Sequence, residues 1–558
     1  MPSPLDRLGK EVLVFDGAMG TLLQAQGLPP GQPPDTWCLE HPDAVERAHR
    51  QYVDAGADVV ETNTFGATPI RLSRHGLEHL AHDINVAAVR IARKATEGRA
   101  YVAASMGPLG VLVEPLGEFP FESAYEQYAA QARTFAESRP DFIIIETIGD
   151  LNEMRAAILA CKDNVPGIPI IAQMTVDAGG RTFTGTDPET AGLVLQSMGA
   201  DVVGFNCSVG PDLLLPAVER LCRAVSIPVS VQPNAGLPIL GPDGKTSFPV
   251  NPAEFASYGP KLVEAGACIV GGCCGTTPDH IRLLKTAVSG LRSRRPGGPL
   301  SQVTGLASRT QALFFTRENL PVRVGVRLEL HDNAPLLEDV SRMSFSLIRK
   351  EARNQVSGGA QALSVSIGDP AVDGAGRMSG LVAAVQKAVR VPVCILSSSQ
   401  EALDAGLKAF VGKALIGPFT ASDEGSERAL SLAKRYGAAI LVLAGNRDAA
   451  LTPAYERLRM ARRLVERAES HGIPLRDVIV DAFGGSAPID PASRKEAVSA
   501  LRMIRDELGC ATALRMGNSS ADSNPFDQEF VATALEAGLR VIFLDPTDRR
   551  AMDAMSPA

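Results

Sequence analysis

Apolar positions in this chain fall in short continuous runs, and each run stops at a glycine, a small polar residue or an acid. In the first half the runs are VLVFDG (12–17), DVVETNT (58–64), YVAASMG (101–107), DFIIIET (141–147), PIIAQMT (169–175), DVVGFNC (201–207), PVSVQPN (228–234) and CIVGGCCG (268–275). Continuous apolarity, rather than alternation, predicts strands buried on both faces. Between the runs lie stretches such as PDAVERAHRQYVDAGA and ESAYEQYAAQARTFAESR. They are apolar at i, i+3 and i+4 and charged elsewhere, which predicts amphipathic helices. Strands alternating with such helices form a parallel sheet, and eight units in succession predict one (β/α)8 barrel.

The pattern then lapses. SGLRSRRPGGPLSQVTGLASRT (289–310) is rich in Gly, Ser, Arg and Pro and has no strand or helix period, so it reads as a polar linker. Eight further runs follow: VRVGVRLE (322–329), ALSVSIG (362–368), PVCILSS (392–398), KALIGPF (413–419), AAILVLAG (438–445), DVIVDAF (477–483), ATALRMGN (511–518) and RVIFLDP (540–546). Charged amphipathic segments such as TPAYERLRMARRLVERAESHG separate them. The predicted fold is α/β: two consecutive (β/α)8 TIM barrels, over 1–288 and 311–558, joined by the linker 289–310.

Charge and composition narrow the class. The formal net charge is −8, and Lys and Arg are scattered, with no basic stripe for nucleic acid. No apolar run reaches the ~18–20 residues of a membrane span. The start, MPSPLDRLGK, lacks the apolar core of a signal peptide, so the expected location is the cytoplasm. Nine cysteines, an odd number over a long chain, argue against a disulfide framework. Cys161, Cys222, Cys394 and Cys510 are expected as core residues.

Active sites of such barrels lie at the C-terminal ends of the strands. In the first barrel those ends carry Asp16–Gly17, Glu61–Thr62–Asn63–Thr64, Glu146, Asn206–Cys207, Asn234 and Cys273–Cys274. The three cysteines fit a zinc ion bound by thiolates with a fourth position open, the pattern of a catalytic rather than a structural site. Vicinal cysteines in a strand would face opposite ways, but in Gly271–Gly272–Cys273–Cys274–Gly275 the chain can turn so that both sulfurs meet one ion. Cys268, at the start of its strand, is expected at the opposite end of the barrel. Three thiolates make zinc a poor Lewis acid toward water and suit it to binding a substrate thiol as thiolate, the nucleophilic form. The expected reaction is attack of that thiolate on an activated alkyl carbon. Asp16 and Glu146 would hold a positive group such as an amine; the plain alternative is that strand-end acids cap the following helices.

The motifs DGAMGT (16–21), ETNTF (61–65), GFNCSVGP (204–211), QPNAG (232–236) and GGCCGTTPDHI (271–281) resemble the zinc-dependent homocysteine S-methyltransferase family over roughly residues 5–290. The resemblance implies homocysteine as acceptor and methionine as product. It also implies zinc on Cys207, Cys273 and Cys274, and substrate contacts from Asp16, Glu146 and the backbone of Gly17, Ala18 and Met19. Asn206 and Asn234 join these as substrate-side residues.

The barrel order resembles the two-barrel half of cobalamin-dependent methionine synthases, whose second barrel binds a pterin. Here that family's strand-end motifs are changed. Gly325-Val326-Arg327-Leu328-Glu329 stands for GERTN, Ser364 and Ser366 for the polar residues of IDVN, Leu396-Ser397-Ser398 for IDS, and Gly417 for an Asn. Asp481 and Asn518 remain as residual pterin-site positions. Each lost polar partner costs about 1–3 kcal/mol, so the second barrel is expected not to take methyltetrahydrofolate in the family's way. No DxHxxG cobalamin signature occurs, so a corrinoid donor such as methylcobalamin is expected on a separate protein. The alternatives are a folate-dependent fragment of methionine synthase, a methyltransferase for another thiol using a small sulfonium or ammonium donor, and a non-catalytic zinc scaffold.

Overall fold

The computed structural model describes residues 3–240, 246–368, 372–420, 426–445, 452–486, 491–515 and 528–555; the side chains of Asp332 and of residues 484–486 are not described. The chain divides into two compact units, Met1–Ser301 and Gln302–Ala558.

The first unit holds β1 (Leu13–Val14), β2 (Val59–Glu61), β3 (Tyr101–Met106), β4 (Phe142–Ile148), β5 (Ile170–Met174), β6 (Val202–Asn206), β7 (Val229–Gln232) and β8 (Ala267–Val270). All pair in parallel in chain order, with β8 returning to β1. A bridge from Phe15 to Val59 and the bond from Asp16 N to Val59 O (3.1 Å) close the ring between β1 and β2. Leu13, Phe15, Val59, Tyr101, Ala103, Phe142, Ile144, Ile171 and Val202 fill its interior. The amphipathic stretch after β1 forms the helix Pro42–Asp54, which buries Val45, Ala48 and Tyr52 at the expected spacing.

The second unit holds β9 (Val322–Glu329), β10 (Ala362–Ser366), β11 (Val393–Leu396), β12 (Leu415–Phe419), β13 (Ala439–Leu443), β14 (Val478–Ser486), β15 (Ala511–Arg515) and β16 (Leu539–Leu544). These form a closed parallel barrel. Both halves are therefore (β/α)8 barrels, as the run pattern predicts. No helix among the described residues is long and apolar enough to cross a membrane.

The stretch 289–310 is divided between the two units. Ser293 Oγ donates to Glu11 O (2.6 Å) and Arg294 O lies 3.4 Å from Cys268 Sγ, so its first part lies against the first barrel. Gly305–Ala307 forms an antiparallel pair with Ala312–Phe314 and bridges to Lys413 of the second unit. Backbone N–H and C=O groups seek partners even where side chains show no period, which is why this stretch carries structure that its composition did not announce.

Candidate metal and thiol site

The C-terminal ends of the first barrel's strands line a cavity of about 520 Å³. Asp16, Glu61, Glu146, Cys207, Cys273 and Cys274 all contribute to its wall. The three cysteine sulfurs lie within 4.8 Å of one another, with Cys207 Sγ 4.0 Å from Cys274 Sγ. Four ligands at ~2.3 Å around a tetrahedral zinc stand about 3.8 Å apart, so the spacing fits one zinc ion.

The backbone brings the sulfurs together in two ways. After β6, Cys207 and Ser208 both adopt φ of 63°, a left-handed conformation that costs non-glycine residues free energy. Bonds from Cys207 N to Gln232 O (3.0 Å) and from Val209 N to Cys207 O (2.8 Å) hold it. After β8, Cys273 N donates to Pro233 O (2.8 Å) and Cys274 O accepts from Ala235 N (3.0 Å), so the loop turns back and both sulfurs face the cavity. Glycine is needed there: a Cβ on Gly272 would lie 2.4 Å from Thr276 Oγ1, and Gly275, at φ +80°, would drive one to 2.2 Å from Phe248. Thr276 is the pivot, donating to Cys273 O (2.7 Å) and accepting from Ala18 N (3.2 Å). That engagement occupies the amide of Ala18, one of the Gly17–Ala18–Met19 group; all three line the cavity.

Hydrogen bonds among the three sulfurs spread their acidities apart. Hydrogen bonds from Cys273 and Cys274 hold Cys207 well below the usual thiol range, and the same bonds to Cys207 push those two above it. Cys268 lies elsewhere, buried with its sulfur near Gly266 O and Arg294 O. Cys161, Cys222, Cys394 and Cys510 are buried, as expected of core residues.

Three carboxyls line the same cavity. Asp16 Oδ2 accepts from Glu61 N (3.0 Å), while its buried Oδ1 has no hydrogen-bond partner. Glu146 accepts from Ser105 Oγ (2.6 Å) and Asn206 Nδ2 (3.0 Å). Glu61 accepts from Gln232 Nε2 (2.6 Å) and shares a hydrogen bond with Glu146. Burial raises all three: Glu146 to about 7, with the charge of Cys207 adding to the effect, and Asp16 and Glu61 well above the carboxylate range, with the charge of Glu146 adding to it.

Asn206 ties these parts together, accepting from Thr147 N (2.7 Å) and donating to Thr147 Oγ1 (2.8 Å) as well as to Glu146. Asn234 is buried behind Cys207, to which it is hydrogen-bonded, with its Oδ1 unpartnered. Sequence reasoning assigned no role to Ser105, Thr147 or Gln232, and none to Glu61 although it stood among the strand-end residues. All lie at or beside strand ends, so strict use of the strand-end rule would have found them. Arg71 and Arg74, which also line the cavity, lie beyond β2 and gave no such signal.

In the second barrel the strand ends hold a different set. Arg515 Nη1 lies 2.7 and 2.8 Å from the two carboxylate oxygens of Glu329, and Ser364 Oγ donates to Glu329 (2.6 Å). Asp481 is buried and accepts from Phe483 N (3.0 Å). Asn518 lies outside the described residues.

Three clustered cysteine sulfurs and the carboxyls of Asp16, Glu61 and Glu146 thus line one cavity at the strand ends of a (β/α)8 barrel. Residues 13–288 match the homocysteine S-methyltransferase family and residues 337–554 the pterin binding enzymes. Through its first barrel the chain belongs to the homocysteine S-methyltransferase family, a family of methyltransferases. Methionine synthase of Mycobacterium tuberculosis is 29% identical, over 96% of this chain and 47% of the relative. Methionine synthase of Mycobacterium leprae is 28% identical with the same coverage. The chain thus spans about half the length of the curated relatives it matches. The crystal structure of the metallated homocysteine methyltransferase MmuM from Escherichia coli is 24% identical, with a TM-score of 0.43 over 50% of this chain and 96% of that one.

Proposed function

We propose that the first barrel methylates the thiol of homocysteine to give methionine, with zinc held by Cys207, Cys273 and Cys274. The observation that carries this reading is the single cavity whose lining brings together three sulfurs and three carboxyls, those of Asp16 and Glu146 buried. When bound, the zinc would supply a cation that keeps a substrate thiol deprotonated.

The remaining work falls to the chain's own side chains. Asp16 Oδ1 is a buried acceptor waiting for a donor, and with Glu146 it would hold the substrate ammonium. Binding that cation draws the raised carboxyls back toward ionisation, so protons leave as the ammonium enters. Asn206 and Ser105 hold Glu146 in place, and Gln232 does the same for Glu61. In the transfer the sulfur–methyl bond forms as the bond from methyl to donor breaks, and the thiol proton leaves with the solvent. Fixed geometry between sulfur and methyl is what the barrel contributes to the rate.

The donor is read as lying outside the second barrel's strand ends, where Glu329 is already engaged by Arg515 and Ser364. A methylated corrinoid, carried on another protein or module, is the donor that suits the two-barrel layout; a small sulfonium or ammonium donor is the second reading. The protein is read as cytoplasmic.

The test is calorimetric titration of the zinc-loaded chain with homocysteine in buffers of different ionisation enthalpy, then with methyltetrahydrofolate. Homocysteine binding with release of one or more protons, and no heat with methyltetrahydrofolate, supports the reading. Failure of homocysteine to bind refutes the acceptor, and folate binding refutes the account of the second barrel.

A further inference from the structure

The thiol cavity is not acidic throughout. Its lining also includes Arg71, Arg74 and His75 from the segment after β2. Arg74 and His75 are exposed and Arg71 is half-buried, whereas Asp16 and Glu146 are buried, so the basic residues occupy the outer end. The two guanidinium groups converge. At the point where a Cβ on Gly110 would stand, Arg74 Nη2 is 2.7 Å away, Arg71 Nη1 2.9 Å and Arg74 Nη1 3.1 Å. Gly110 turns there at φ +74° and leaves that space to the two side chains. Arg74 Nη2 donates to Gly110 O (2.7 Å), which fixes it in place. Neither arginine forms an ion pair among the described residues. Asp35 and Glu153 feel the charge of Arg71 only through space.

Two cations side by side repel unless an anion sits against both. Guanidinium N–H groups form a planar fork matched to carboxylate and phosphate oxygens. We propose that Arg71 and Arg74 form an oxyanion site at the outer end of the thiol cavity. The proposal rests on the reading of the deeper cavity as the thiol-methylation site. The oxyanion has two sources: the carboxylate of the amino acid whose sulfur and ammonium lie deeper, or an anionic group on the methyl donor arriving at the mouth.

The experiment titrates inorganic phosphate into the full zinc-loaded chain by calorimetry, alone and with saturating homocysteine. The wild-type chain binds phosphate saturably, and Arg71→Gln and Arg74→Gln each weaken it about tenfold or more. Arg133→Gln, at an exposed arginine on the helix Phe121–Ser138, leaves binding unchanged. If homocysteine displaces phosphate, the site holds the substrate carboxylate; if both bind together, it holds the donor's anionic group. No phosphate binding, or binding that survives both glutamine substitutions, overturns the proposal. Phosphate binding through the two arginines in a chain that does not bind homocysteine keeps the oxyanion site and refutes the reading of the deeper cavity instead.

Discussion

Asn206→Ala is the most informative single change in the first barrel. One buried amide there accepts from Thr147 N (2.7 Å) and donates to Thr147 Oγ1 (2.8 Å) and Glu146 (3.0 Å). Each such bond contributes ~1 kcal/mol net, and leaving the Thr147 N–H without a partner adds ~1–2 kcal/mol. Thr147 also sits at φ 60°, a conformation that the Asn206 contact helps to hold. The expected loss is roughly 3–5 kcal/mol. At about 2 °C or more per kcal/mol for a domain of this size, the first barrel should melt at least ~6 °C lower. Homocysteine affinity should fall about tenfold, because Glu146 loses one of the donors that place it. Asn206→Asp separates the parts: it keeps the acceptor for Thr147 N but sets a carboxylate against Glu146. Differential scanning calorimetry of the wild type and both variants, with homocysteine titrations, makes the measurement. An alanine variant within about 1 kcal/mol of wild type, with unchanged homocysteine affinity, would show that Asn206 is not the tie between β4 and β6.

Other consequences follow from the same structure. Cys207→Ser, Cys273→Ser and Cys274→Ser should each drop zinc content well below one ion per chain by elemental analysis; a variant that keeps full zinc would remove that residue from the ligand set. Glu153, buried and raised to about 7, accepts from Leu109 N (2.6 Å) and Tyr128 OH (3.0 Å). Its folded form holds a proton that the unfolded chain releases near 4.5, so its contribution is full below that pH and is lost as pH rises toward 7. Urea unfolding at pH 5 and pH 8 should therefore show Glu153→Gln gaining on the wild type with rising pH, and parallel behaviour would contradict the assignment. In the second barrel, Lys413 and Asp477 form a buried pair at 2.5 Å. Lys413→Met should cost that barrel about 3–5 kcal/mol in denaturant unfolding, because the buried Asp477 carboxyl loses its ion-pair partner; a loss under 1 kcal/mol would mean that the pair contributes little to the barrel.

Both barrels were legible because the signal is coarse and repeated. DFIIIET became β4 (Phe142–Ile148) and VRVGVRLE became β9 (Val322–Glu329) with little shift in bounds. The cysteine cluster was legible for the same reason, since strand ends converge whatever the side chains. What stayed hidden depends on side-chain direction and on loops. Glu61 shows its pairing with Glu146 only once the strands close into a ring. Arg71 and Gly110 are far apart in sequence and meet through a turn that no periodicity marks. Cys207 and Ser208 in left-handed backbone could not be read from GFNCSVGP, because neither residue favours that conformation. The stretch 289–310 showed no period yet carries structure in both units, because backbone pairing leaves no compositional trace.

The amides within the first barrel have a direction. Gln173 Nε2 donates to Gln232 Oε1 (2.6 Å), so the other end of Gln232 must donate, and it does so to Glu61 Oε1 (2.6 Å). A donor pinned on that oxygen keeps it an acceptor, beside the hydrogen bond that Glu61 shares with Glu146. The chain of amides therefore acts as a one-way wire of dipoles, written into the barrel floor before any ligand arrives. It fixes one oxygen of Glu61 as an acceptor at the wall of the thiol cavity.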